Sequence, residues 1–87
     1  MGTLFEKDGL KIERILSKGQ VSEPGFWYDQ NQDEWVIILQ GEAEVEFEES
    51  KVILKKGEHL YIPAHKKHRV SHTSQEPPVI WLAIHWN

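Results

Sequence analysis

The chain contains no cysteine, which excludes a disulfide framework, a thiolate metal site and a cysteine nucleophile. No apolar stretch approaches the roughly 18 residues of a membrane-spanning helix. There is also no excess of basic charge: ten Lys and Arg stand against 14 Asp and Glu, a formal net charge of −4 at pH 7. A phosphate-binding surface needs the opposite sign, and the basic residues of "HKKHR" are too few and too local to make a nucleic-acid stripe. Neither nucleic acid nor membrane is an expected partner. The opening "MGTLFEKDGL" lacks a basic region followed by an apolar run, and Glu6 breaks the myristoylation pattern, so the expected location is the cytoplasm.

What is present is the composition of an ordinary globular domain. Hydrophobic residues make up 39% and charged residues 28%, with four Trp, three Phe and two Tyr to fill a core. Residues 1–87 are expected to form a single domain, because a chain this short buries only about 60 to 65% of its unfolded surface and every element must share one core. Turn signals at "KG", "EPG", "QNQ", "QG", "EES", "KKG" and "EPP" separate apolar runs of about four to eight residues, the spacing of short strands. Between Gly41 and Ser50 the sequence alternates strictly, with Ala43, Val45 and Phe47 on one face and Glu42, Glu44, Glu46 and Glu48 on the other. An acidic strand face of this kind is read as solvated and protected from edge pairing rather than as a cation-binding comb. By contrast, "WVIIL" (residues 35–39) and "VIWLAI" (residues 79–84) are apolar on both faces and need cover on both sides. Only "LKIERIL" offers a faint helical spacing, and it is short and β-branched. The fold class is all-β: a small barrel or sandwich of roughly seven or eight strands.

Three of the five histidines fall within "PAHKKHRVSH". On a helix, His65, His68 and His72 would share a face, but Pro63 follows the β-rich "LYI" and the segment has no apolar face to bury. Read as a turn entering the strand "HRVSH", the period of two places His68, Val70 and His72 on one face and leaves His65 in the turn, facing water. His59 and His85, among apolar strand residues, are read as structural.

These residues carry a resemblance. Gly57, Pro63 and His68 match the second motif of the cupin superfamily, with His65 where that motif usually has glycine and His72 where it has asparagine. Glu34, six residues and Gly41 resemble the end of the first motif. The 15-residue stretch between the motifs, Glu42 to Lys56, is of the usual kind, and together they span residues 34–72. The resemblance implies a double-stranded β-helix barrel with an interior cavity. It also implies a divalent metal such as Fe, Mn, Zn or Ni, but the pair of histidines that precedes the glutamate in metal-binding cupins is missing: that region reads "WYDQNQD". The ligands carried over are therefore only Glu34 and His68. His72 is the candidate third donor, with Asp29 or Gln30 as a fourth, because a catalytic ion normally needs three or four protein donors; the alternative, favoured slightly, is that no metal is held tightly and Glu34 and His68 form a buried pair bound to each other or to water.

Three functions follow. The first and preferred reading is small-molecule binding in the barrel mouth among Trp27, Tyr28, Trp35, Glu34 and His68. The second is a metal-dependent oxygenase, isomerase or lyase on a small polar substrate. The third is a structural module with a filled barrel. Trp35, Ile37 and Leu39, on the face opposite Glu34, together with the closing strand, lead to the expectation of a homodimer joined sheet to sheet.

Overall fold

The computed structural model describes residues 2–87, so Met1 lies outside it. Eight strands follow in order: β1 (Gly2–Lys7), β2 (Leu10–Ser17), β3 (Asp33–Gln40), β4 (Glu42–Phe47), β5 (Lys51–Lys55), β6 (His59–Ile62), β7 (His68–Thr73) and β8 (Val79–Trp86). "LKIERIL" is β2, as its β-branched residues favour. Every pairing is antiparallel, in a five-stranded sheet of order β1-β2-β8-β3-β6 and a three-stranded sheet of order β5-β4-β7. This is the all-β fold expected from the turn spacing, and the jelly-roll barrel that the motif resemblance implies. Among the described residues there is no helix long and apolar enough to cross a membrane.

The core lies where the two sheets face each other, and strand alternation decides who enters it. Val36 and Ile38 of β3, Ala43, Val45 and Phe47 of β4, and Val79, Trp81 and Ala83 of β8 are buried, with Leu54 and Ile62 completing the cluster. A single residue, Gly41, carries the chain from the first sheet to the second. Its φ of +85° is the left-handed turn that glycine adopts at no steric cost, and a side chain there would meet Ser74 Oγ, the Pro78 carbonyl and Val79 Cα.

The acidic face of β4 has partners rather than open solvent, because β4 is the central strand of its sheet. Arg69 Nη1 donates to Glu46 at 3.0 Å, Ser71 Oγ donates to Glu44 at 2.7 Å, and Lys51 Nζ lies 4.0 Å from Glu44. Edge protection is therefore not the role of this face. On the free edge of β7, residues 18–32 take the place of a strand: the Ser22 amide donates to Val70 O, the Tyr28 amide to His68 O, and the His68 amide back to Tyr28 O. Thr73 Oγ1 donates to Gln20 O and Arg69 Nη2 to Ser22 O. This irregular segment closes the barrel mouth and turns part of its length toward the interior.

Candidate functional site

Between the sheets lies a cavity of about 320 Å³, at the lower end of the range for small-molecule sites. Its floor is apolar, formed by Val36, Val45, Ile62 and Trp81, and its mouth is bordered by Gln20, Ser22, Tyr28 and Gln30 of the closing segment. The polar groups between floor and mouth come from β2, β3, β7 and β8, and they form one chain of alternating acid and base.

Glu34 is its centre. It is buried at 8% exposure, and register places His85 of β8 directly opposite it on one side and Ile62 of β6 on the other. His68, the first residue of β7, is also buried and brings Nε2 to 3.5 Å from Glu34 Oε1. Its other nitrogen, Nδ1, lies 2.9 Å from the Lys66 carbonyl. A carbonyl only accepts, so Nδ1 carries a hydrogen, and Nε2 faces the carboxylate as a donor only when the ring is charged. Burial works to lower the pKa of His68, but the hydrogen bond to Glu34, the Lys66 carbonyl and the negative charge of Glu34 outweigh it, and the net direction is upward from 6.5. The ring is held by Tyr28, stacked at 5.4 Å and 25°, and by Phe47 at 6.4 Å.

The chain continues through His85, whose Nε2 is 3.2 Å from Glu13 Oε1 and 3.7 Å from Glu34 Oε2. Glu13, on β2, also has Lys11 Nζ at 3.9 Å. Glu13, His85, Glu34 and His68 thus follow one another across four strands. Sequence reading missed Glu13 and took His85 as structural. A signal existed for His85, since alternation along "VIWLAIHW" puts Val79, Trp81, Ala83 and His85 on one face, but nothing in the sequence states that this face meets Glu34.

Of the residues expected in the pocket, Tyr28, Glu34, His68 and Gln30 line the cavity. Trp35 does not: as the neighbour of Glu34 on one strand it points to the opposite face, where it stacks on His59 at 5.5 Å. Trp27 likewise is not among the lining residues, being next to Tyr28, which pairs with His68 in an isolated bridge. His72 is exposed and lies opposite Glu44, away from Glu34 and His68. The cause is a β-bulge: Glu44 and Val45 are consecutive, yet their partners are His72 and Val70, so Ser71 is an extra residue that inverts the alternation. Asp29 is at the surface with its Oδ1 3.0 Å from Nδ1 of His65, which sits in the turn at a φ of +64°. That left-handed conformation accounts for glycine being the usual residue there.

The set of Glu34, His68 and His72 is therefore not assembled. Among the described residues no group of three or more His, Cys, Asp or Glu side chains is placed to hold a metal ion. Each imidazole Nε2 instead addresses a carboxylate, and the donor set does not fit a three- or four-ligand centre.

Comparisons with known proteins agree with this architecture. The family model of the cupin domain matches residues 13–85. No curated protein matches the chain. Among solved structures, the chain is similar to a protein from Ralstonia eutropha JMP134 provisionally named a mannose-6-phosphate isomerase, with 48% identity, a TM-score of 0.94, and 98% of this chain and 81% of that one covered. It is also similar to a cupin superfamily protein from Desulfitobacterium hafniense DCB-2, with 26% identity, a TM-score of 0.81, and coverage of 98% and 73%. The EutQ protein of Clostridium difficile shares the fold at 19% identity and a TM-score of 0.80, over 98% of this chain and 64% of that one.

Proposed function

The chain belongs to the cupin family, and from that premise we propose that it binds a small, uncharged, hydroxyl-bearing molecule in the barrel cavity, with Glu34 and His68 as its central polar contacts. The observation that carries this reading is the acid–base chain of Glu13, His85, Glu34 and His68 above an apolar floor. Buried polar groups are retained only where they are satisfied, and these contacts of 3.2 to 3.7 Å are long enough for a ligand hydroxyl to improve on them. Carboxylate oxygens accept hydroxyl protons, while Gln20 and Gln30 at the mouth offer both donors and acceptors.

The charge of the cavity narrows the class. Its lining includes two glutamates and neither Lys nor Arg, and its two histidines already face those glutamates, so a phosphate group meets no unpaired positive charge within it and is disfavoured. The phosphorylated sugar in the name of the Ralstonia protein is, for this cavity, a poorer fit than its neutral parent.

The expected experiment is thermal unfolding in the presence of D-mannose, D-fructose, glycerol and the two sugar 6-phosphates. At least one neutral compound raises the midpoint, Glu34→Gln removes that shift, and the phosphate esters shift it less. A phosphate ester that stabilises more than its neutral parent, with the effect kept in Glu34→Gln, contradicts the reading.

One observation favours a second reading, since the 48%-identical relative carries an isomerase name. Aldose–ketose interconversion moves a proton between adjacent carbons and needs one base and one acid. In this reading Glu34 takes the proton from the hydroxyl-bearing carbon beside the carbonyl while His68 protonates the carbonyl oxygen, giving an enediol. His68 then takes the proton of the neighbouring hydroxyl, and Glu34 returns its proton to the former carbonyl carbon. Conversion of D-mannose to D-fructose that is lost in both Glu34→Gln and His68→Gln supports it, and its absence leaves the binding reading alone.

A further inference from the structure

We infer that the ligand is an amphiphile of the glycoside class lying across two joined compartments, its apolar substituent in the barrel and its sugar ring reaching from the acid–base chain into a polar hollow outside. The inference rests on the binding reading above and adds to it the shape and polarity of the ligand. The hollow has a volume of about 510 Å³ and adjoins the cavity, because Glu13, Gln30 and His85 line both. The rest of its lining is Lys11, Asn31, Gln32 and Asn87. Beyond the shared acid–base pair it therefore offers carboxamides and one ammonium group, and no hydrocarbon side chain.

Polarity changes in one direction along three neighbouring strands, whose inward side chains recur every second residue. From the hollow toward the barrel floor, β2 presents Lys11, Glu13 and Ile15. The same face of β3 runs from Gln32 through Glu34 to Val36, and that of β8 runs back from Asn87 through His85 and Ala83 to Trp81. The acid–base chain is thus a boundary, with amides on one side and hydrocarbon on the other. Deeper polar atoms are already engaged: Ser17 Oγ accepts from Trp81 Nε1 at 3.2 Å, and Ser22 Oγ from the Val70 amide at 3.0 Å. A molecule hydroxylated throughout would set hydroxyls against Val36, Val45 and Ile62, where they lose water without gaining a partner. A wholly apolar one would strip water from Glu34 and return nothing. The molecule that suits both compartments carries its hydroxyls at one end. The wall of the hollow is fixed in advance, since Gln32 Nε2 donates to Gly9 O at 3.2 Å and to Asn87 Oδ1 at 3.1 Å, and the Asn87 amide donates to Gly9 O at 3.2 Å. Side chains held in this way lose little freedom on binding, and a carboxamide both donates and accepts, which matches the neighbouring hydroxyls of a sugar ring.

Calorimetric titration of the whole chain tests this, with D-mannose, D-glucose, the phenyl glycoside of each, and benzyl alcohol as probes. At least one phenyl glycoside is expected to bind at least tenfold more tightly than its parent sugar and than benzyl alcohol. Lys11→Ala combined with Asn31→Ala, both outside the buried core, is expected to weaken that glycoside at least fivefold and to leave the affinity for benzyl alcohol unchanged. Equal affinity for glycoside and parent sugar, with both lost in Glu34→Gln, overturns the inference and leaves the binding reading standing. A tenfold gain that the double variant does not reduce also overturns it, because the hollow then takes no part. Glycoside binding that survives Glu34→Gln, or no binding by any of the probes, overturns the binding reading and the inference together.

Discussion

Glu34 lies between two imidazoles, and its charge bears on the protonation of His68. Because the folded pKa of His68 is raised above 6.5, its pairing with Glu34 contributes stability that is fully present below about pH 6.5 and is lost as pH rises through the higher folded value. Glu34→Gln keeps the shape and removes the charge. The midpoint difference between wild type and Glu34→Gln is therefore larger at pH 5.5 than at pH 8.5 in thermal unfolding, and imidazole-detected NMR shows the His68 pKa falling in the variant. The two motif residues of this pair were legible in the sequence because their spacing from Gly41 and Pro63 is a property of the chain itself. Their partners were not. Glu13 and His85 are 72 positions apart and meet only through the register of β2, β8 and β3, which no local pattern states. His72 failed for the opposite reason: a strict period of two was extended through Ser71, and a bulge leaves no compositional mark.

At the scale of elements, the turns separate conformational demand from steric demand. Gly41 and Gly57 both have φ near +85°, but a Cβ at Gly57 meets nothing within 4 Å, whereas one at Gly41 meets backbone atoms of Pro78 and Val79 at 3.0 Å. Gly57→Ala is expected to cost about 1 kcal/mol, the price of the left-handed conformation alone. Gly41→Ala is expected to cost about 2 to 3 kcal/mol, because the corner between the two sheets must also shift. Chemical denaturation of both variants measures the pair, and equal losses would contradict the assignment of Gly41 to a close approach. The strands themselves were well signalled by alternation in "GEAEVEFEES" and by the two-sided apolar runs. The segment 18–32 was not, since its hydrogen bonds go to the edge of β7 instead of forming a regular strand, and so the placement of Trp27 outside the cavity and Tyr28 inside could not be read in advance.

For the whole molecule, a jelly roll of two sheets gathers an acid–base chain inside one half-open cavity and leaves apolar side chains outside, on the far face of the same strands. Alternation along β3 and β8 produces both: Glu34 and His85 face inward while Trp35, Ile37, Leu82 and Ile84 face outward. A ligand that fills the cavity at 100 times its Kd stabilises the fold by about 2.7 kcal/mol. The central claim, that the interior acid–base chain is where a hydroxyl-bearing molecule binds, is tested most directly by chemical-shift mapping of the ¹⁵N-labelled protein, titrated with whichever neutral compound gives the largest thermal shift. The account predicts that the perturbed amides come from both sheets and converge on the cavity, at Ser17, Glu34, His68 and His85, and that Glu34→Gln abolishes them. Perturbations confined to the outer faces, or unchanged by Glu34→Gln, would contradict it.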